Sequence, residues 1–334
     1  MYIPSRILQR LRAKFRWILQ NLQNNAHSES QVSSPHSIKH KLPDHIRKQL
    51  EVIEHSQCSD RSNAIKGLRS LGLGDFVIAL AVMPHEDYPR LSNLLPQMVS
   101  ADITNQWTGA DPMEVMKQGV SFARACSESY ININNTSLDG KRILDFACGY
   151  GRFVRIFSYY SDHVQGVDAW PESIDIASRS GLKDDVFLSD EVPASLPVDG
   201  PFDFISAFSI FTHLSKEATL ASLKALRATT YAGGVLAITI RPIEYWEQSI
   251  NSHHSVVGNR SPQGKEQLLS KLVADHVLTG FSFIPAKFSK SGAYGDSSMT
   301  IEWLDRNAAG WRVAKIDSSA DDPSQRYVFL VASA

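Results

Sequence analysis

Cysteine is scarce: Cys58, Cys126 and Cys148 are the only three in 334 residues. An odd set without close spacing offers neither a disulfide framework nor a zinc site, and it fits a reducing compartment. Net charge is nearly absent as well. A formal balance of −1 leaves no global field that would mark nucleic acid as the partner. No apolar run is long enough to span a bilayer. The N-terminus is too charged through its middle to supply the apolar region of a signal peptide. These absences predict a cytoplasmic protein. His253 and His254 are adjacent and point in different directions, with no carboxylate or cysteine spacing around them, so no metal site is expected. His27, His36, His40 and His55 lie in or near polar sequence and read as solvated.

What is present begins with a seam. Leu8, Leu11, Phe15, Ile18 and Leu22 recur at spacings of three and four, flanked by Arg6, Arg10, Arg12, Lys14 and Arg16. Four readings stay open for this basic amphipathic helix: packing on its own domain or a neighbour, peripheral contact with an anionic membrane at the inner surface, self-association through residues 4–23, or an Arg-rich presequence. The chain then divides into the helix at 1–25, a polar linker at 26–42, a helical region at 43–104 and a main domain at 105–334. In the helical region Ile46, Leu50 and Ile53 share one face, and Phe76–Met83 is an apolar run ended by Pro84. Asp111-Pro112 reads as a cap followed by a first-turn proline. Trp107-Thr108-Gly109 before it is either a lid or a plain loop.

From Lys141 onward, strands alternate with helices. Strands are predicted at Arg142–Asp145, His163–Asp168, Val186–Ser189, Phe202–Phe208 and Val235–Ile240, with helices at Arg152–Tyr160, Pro171–Ser180 and Ser215–Thr229 between them. This alternation of near-continuous apolar strands with helices predicts a mostly parallel sheet covered on both faces. Later, 263–278 reads as a helix, Phe281–Ala286 as a strand and Ser298–Asn307 as a helix. Trp311–Ile316 and Tyr327–Ala332 form a terminal antiparallel hairpin around a turn-rich segment.

Ligands bind such sheets beyond the C-terminal ends of the strands. Asp145, Asp168, Ser189, Asp190, Phe208, Ser209 and Arg241 all lie at or just past those ends. The first strand runs into the small-residue loop Ala147-Cys148-Gly149-Tyr150-Gly151-Arg152, which lets backbone approach a ligand. Asp168 stands roughly 20 residues beyond that loop, where a carboxylate accepts from both ribose hydroxyls. A nicotinamide dinucleotide wants a third glycine where Val154 stands, and its pyrophosphate disfavours Asp145. S-adenosylmethionine, with an ammonium and a sulfonium, tolerates that carboxylate far better.

Asp145-Phe-Ala147-Cys-Gly149-Tyr-Gly151-Arg152 resembles the first motif of class I S-adenosylmethionine-dependent methyltransferases of bacterial type. Val167-Asp168, Phe202-Asp203-Phe204-Ile205 and Ala232-Gly233-Gly234-Val-Leu match later landmarks of that family, with alanine for proline in the last. The resemblance covers about residues 105–334. It implies a Rossmann-like seven-stranded α/β sheet with a C-terminal antiparallel hairpin, helices on both faces and, here, a helical N-terminal extension. It implies S-adenosylmethionine as cofactor, the loop Ala147–Gly151 against its methionine part and Asp145 beneath. Asp168 would take the ribose, Ala169 and Trp170 would border the adenine, and Asp190 or Ser189 would meet the exocyclic amine. Phe208 and Ser209 would close the methionine side. Ala147 replaces the loop's first glycine.

Phe208-Ser-Ile-Phe-Thr-His213-Leu resembles a segment in which a histidine lies near the transferred methyl. His213 is therefore either a general base or a histidine that shapes the pocket. Arg241, near Tyr245 and Trp246, either holds an anionic or sugar-like acceptor or is a salt-bridged rim residue. The expected reaction is methyl transfer, with oxygen favoured as the acceptor atom of a small-molecule, glycan or lipid-linked group. The alternatives are an RNA or protein methyltransferase and a non-catalytic scaffold of the same fold.

Overall fold

A computed structural model describes residues 42–100, 103, 112–246, 261–319, 322 and 324–333. The expectations for the amphipathic helix at 4–23, the linker, the Trp107-Thr108-Gly109 segment and the His253-His254 pair lie outside the described residues.

Four short helices come first: α1 (Asp44–Glu54), α2 (Arg61–Leu68), α3 (Leu73–Ala81) and α4 (Pro89–Leu94). Ile46, Leu50 and Ile53 form the buried face of α1. A long helix, α5 (Pro112–Asn134), leads into the alternating part. That part contains β1 (Ile143–Phe146), α6 (Arg152–Phe157), β2 (Val164–Asp168), α7 (Pro171–Ala177), β3 (Val186–Leu188), β4 (Phe202–Ala207), α8 (Lys216–Ala228) and β5 (Thr230–Ile240). Then follow α9 (Pro262–Thr279), β6 (Phe281–Pro285), β7 (Gly295–Met299), α10 (Ile301–Asn307), β8 (Trp311–Ser318) and β9 (Arg326–Ala332).

Seven strands form one sheet in the order β3-β2-β1-β4-β5-β9-β8. The first five run parallel, β9 is antiparallel to β5, and β8 is antiparallel to β9. This is the expected Rossmann-like sheet with its terminal hairpin. Alternation along the strands covers both faces. Ile143, Val235, Ala237, Tyr327 and Phe329 enter one apolar core with residues of α1 to α6, such as Leu50, Phe76, Phe122 and Phe153. Leu144, Leu236, Ile238, Val328 and Leu330 enter the opposite core with Leu223 and Leu226 of α8 and Trp303 and Leu304 of α10. Side chains one residue apart thus point to opposite layers, as the pleat requires.

Two predicted boundaries shift for local reasons. β5 starts at Thr230, so the Gly233-Gly234 turn is a bulge inside the strand: Phe202 pairs with Thr230, and Phe204 already pairs with Val235. The helix expected at Ser298–Asn307 begins only at Ile301, where the Thr300 side chain caps it by accepting from the Trp303 amide. Ser298 and Met299 belong instead to β7, which pairs antiparallel with β6 in a separate two-stranded sheet. β7 is wholly buried although it reads Gly-Asp-Ser-Ser-Met. It carries none of the β-branched or alternating apolar residues that announce a strand. Among the described residues no helix is long and apolar enough to cross a membrane.

Candidate functional site

β1 lies between β2 and β4, and the loop after it rises at the centre of the sheet's C-terminal edge. Asp145 pairs with Ser206 across β1 and β4, and the Ser206 hydroxyl donates to Asp145 Oδ1 at 2.7 Å. The other oxygen, Oδ2, is buried without a hydrogen-bond partner. Burial pushes the Asp145 carboxyl up to about 7; the Ser206 hydrogen bond and the Arg152 charge oppose the rise, and the Asp168 charge adds to it.

The loop turns through three left-handed residues, with φ of 60° at Ala147, 53° at Gly149 and 77° at Gly151. The turn is pinned from β2. Asp168 Oδ2 accepts from the Gly149 amide at 2.8 Å, and Oδ1 accepts from the Trp170 amide at 2.9 Å. One carboxylate thereby holds the loop and the start of α7 together. Gly151 is required by contact as well as by φ, since a Cβ there would stand 2.2 Å from Leu182 Cδ1. From below, buried Arg155 donates to the Tyr150 and Gly151 carbonyls at 2.5 and 3.0 Å. Its other nitrogen reaches the Gln97 carbonyl at 2.8 Å and the Ser180 hydroxyl at 2.6 Å.

Asp145, Ala147 to Gly151, Asp168, Ala169, Trp170, Ser189, Asp190, Phe208 and Ser209 all lie at or just past the C-terminal ends of β1 to β4. Ser189 is half-buried and Asp190 exposed. Cys148 is buried, and burial raises its thiol well above the usual range. Ser209 has a φ of 59°, and its amide donates to Thr239 Oγ1 at 2.6 Å. Arg152 turns from the loop towards α5. Its guanidinium lies over the Phe153 and Phe208 rings, 4.5 and 4.9 Å from their centroids, and donates to the Val115 carbonyl at 3.4 Å.

Beyond β4 and β5 lies a buried charged cluster. His213 Nδ1 is 2.7 Å from the Gly295 carbonyl, which can only accept, so Nδ1 carries the proton. Nδ1 is also 3.2 Å from Asp296 Oδ1. Nε2 faces Arg241 Nη2 at 3.4 Å. Arg241 Nη1 donates to Asp296 Oδ1 at 2.5 Å and to the Thr212 carbonyl at 3.0 Å, and the guanidinium lies 4.0 Å over the Tyr245 ring. Burial alone would raise the Asp296 carboxyl. The Arg241 charge and the His213 hydrogen bond outweigh it and hold the group well below the usual carboxylate range. Arg241 is 5% exposed and His213 also 5%, so the arginine is no rim residue.

Sequence reasoning did not find Asp296, Tyr294 or Phe288. Tyr294 stacks on His213 at 5.1 Å between centroids and 11° between planes, and it meets Trp170 at 5.6 Å and Phe288 at 5.8 Å. The β6–β7 hairpin therefore carries one aromatic wall from the loop side of the sheet to His213. No periodic signal marks these residues. The one clue was an unpaired Arg241 after a buried strand, which demanded a carboxylate from somewhere in the chain. Among the described residues no group of three or more His, Cys, Asp or Glu is placed to hold a metal ion.

Residues 143–234 match the family model described as a methyltransferase domain. No curated protein matches the chain. Among solved structures it is similar to an S-adenosylmethionine-dependent methyltransferase from Clostridium acetobutylicum ATCC 824, at 14% identity, 65% coverage of this chain, 92% of that chain and a TM-score of 0.43. It is also similar to the magnesium protoporphyrin IX methyltransferase from Synechocystis PCC 6803 with bound SAH, at 12% identity, coverage of 71% and 89%, and a TM-score of 0.40. A third is the plantazolicin methyltransferase BpumL in complex with SAH, at 13% identity, coverage of 87% and 100%, and a TM-score of 0.43.

Proposed function

We propose that this chain, a class I S-adenosylmethionine-dependent methyltransferase with S-adenosylmethionine as its cofactor, methylates a hydroxyl oxygen of a small-molecule, glycan or lipid-linked acceptor. The enzyme class rests on the family match over 143–234 and on the loop that follows β1. The residues present fit the cofactor. Asp145 Oδ2 is a buried oxygen without a partner beneath the loop, suited to an ammonium group. Asp168 stands at the end of β2 where a ribose would lie, its oxygens accepting from the Gly149 and Trp170 amides, and half-buried Trp170 offers a ring to the adenine. When bound, S-adenosylmethionine supplies a methyl group whose bond to sulfur breaks with its electron pair left on sulfur.

The observation that carries the oxygen assignment is the fixed tautomer of His213. With Nδ1–H given to Gly295, Nε2 is the unprotonated ring nitrogen; it would take a proton by giving up its long contact, 3.4 Å, with Arg241 Nη2. A hydroxyl acceptor needs that help, because its proton must leave as the new C–O bond forms. Alignment of acceptor and cofactor supplies most of the remaining acceleration. Arg241 is committed to Asp296, Thr212 and Tyr245, so we assign it to holding His213 and not to the acceptor. Near-neutral charge favours a small-molecule, glycan or lipid-linked acceptor over nucleic acid.

The test is transfer of labelled methyl from S-adenosylmethionine to fractionated cell extract by the full chain. Label on oxygen in a small-molecule, glycan or lipid fraction supports the proposal. Label on nitrogen, or in RNA or protein, refutes it. Once an acceptor is found, His213→Gln should lower kcat by about 100-fold or more while SAH affinity stays within about twofold.

A further inference from the structure

We infer that Asp296 and Arg241 act on His213 as an opposed pair that sets the proton affinity of Nε2, with Asp296 the positioning residue that makes His213 usable as a base. The inference rests on the proposed role of His213 for its meaning in catalysis, but the electrostatic arrangement stands on geometry alone. The anion lies 3.2 Å from Nδ1 and the cation 3.4 Å from Nε2. The two charges are tied to each other through Asp296 Oδ1. Asp296, Arg241 and His213 are all at most 5% exposed, so water screens these interactions little.

The consequence has a definite sign. When Nε2 takes the acceptor's hydroxyl proton, the imidazolium is stabilised by Asp296 and opposed by Arg241. Without Asp296, Arg241 alone would face the ring, and Nε2 would lose its affinity for the proton it must accept. The Gly295 carbonyl already fixes the tautomer, so Asp296 is needed for charge and not for ring orientation alone. Other groups packed around the cluster are the stacked Tyr294 ring, the Tyr245 ring under Arg241, and the Thr212 carbonyl. Asp322 acts on Arg241 by charge. His276 of α9 is bonded at 2.7 Å to Ser298, which lies one alternation beyond Asp296 along β7. The sequence distance between Thr212-His213 and Gly295-Asp296 is bridged by backbone as well: the Gly295 amide donates to the His213 carbonyl at 2.7 Å, and the Ser297 amide to that of Thr212 at 3.0 Å. The hairpin is thus fastened to the segment whose histidine it tunes.

The experiment is a titration of the histidine ring followed by nuclear magnetic resonance on the ¹⁵N-histidine-labelled full chain, with the His213 signals assigned by H213Q. D296N should lower the His213 pKa, and R241Q should raise it, each by about one pH unit or more. The double variant D296N/R241Q should return it close to the wild-type value. D296N leaves a buried cation without its counter-charge and is the variant at risk of misfolding; the double variant removes both charges, so R241Q with the double variant still decides the matter. Shifts of the same sign, or a double variant that keeps the full R241Q shift, overturn the inference. If the opposed shifts are found and H213Q retains full turnover on an identified acceptor, the electrostatic pair stands and its catalytic role falls. If H213Q loses turnover and no opposed shifts are found, His213 is a base and Asp296 does not tune it.

Discussion

The buried carboxyl of Asp145 predicts that cofactor affinity depends on pH in the range where most enzymes are assayed. In the cofactor-free protein burial pushes this group up to about 7, and Oδ2 has no partner. An ammonium group placed against it favours the ionised form and pulls the pKa of the complex down. Affinity for SAH should therefore be flat above about pH 7 and fall about tenfold per pH unit below it, to about 100-fold weaker at pH 5, or roughly 2.7 kcal/mol. The same shift has a stability sign. The folded-state pKa lies above the unfolded value of about 3.9, so the folded state holds the extra proton between these limits. Stability of the cofactor-free protein is then highest below about pH 4 as far as this one group is concerned. It declines as pH rises through the window from about 4 to 7, by on the order of 4 kcal/mol. Isothermal calorimetry with SAH from pH 5 to 8 reads the first effect, and thermal denaturation of the free protein reads the second. Asp145→Asn should bind weakly and with little pH dependence. A wild-type SAH affinity that is constant from pH 5 to 8 would refute the reasoning, because it would mean that no proton leaves Asp145 on binding.

Two further outcomes test the loop itself. Ala147 holds a φ of 60°, a region that costs a residue with a Cβ about 1–2 kcal/mol, so Ala147→Gly should raise the melting temperature by a few degrees, less the glycine entropy cost of the unfolded chain; a fall in melting temperature would show that the loop is not strained there. Arg155→Met removes the guanidinium that donates to the Tyr150, Gly151 and Gln97 carbonyls and the Ser180 hydroxyl, so it should weaken SAH binding about tenfold or more and destabilise the fold by about 2 kcal/mol, checked by calorimetry and denaturant unfolding.

How much of this was legible in the sequence follows from the range over which each signal acts. The loop, Asp168 and the strand ends are local: a strand's apolar run, its last polar residue and the small residues after it lie within about ten positions, and the parallel fold places successive strand ends on one edge. Ser215 at the start of α8 was readable for the same reason, since its side chain accepts from the Ala218 amide three residues on. The failures are non-local. Ser298 and Met299 read as helix because Gly295–Met299 has no strand pattern, and its burial comes from the elements around it. Arg241 stays open between an acceptor contact and a salt bridge, because its carboxylate partner lies 55 positions away in the sequence. Arg152 belonged to the loop by position, yet its side chain follows the Phe153 and Phe208 rings towards α5.

The same division has a consequence for specificity. Nearly every residue assigned to the cofactor comes from β1 to β4 and the loops after them, which share one face of the sheet edge. His213 differs in its partners: Gly295, Asp296 and Tyr294 all come from the β6–β7 hairpin, which is fastened by backbone and side-chain bonds to residues 211–214 and Arg241. Trp170 is the point where the two halves touch, through Tyr294 and Phe288. A change in the hairpin can therefore alter the surroundings of His213 while Asp145, Asp168 and the loop remain as they are. Tyr294 is the residue where such a change should be felt first, because its ring spans both halves. Replacement by leucine keeps an apolar contact but removes the stack on His213, so acceptor KM should respond more strongly than SAH affinity.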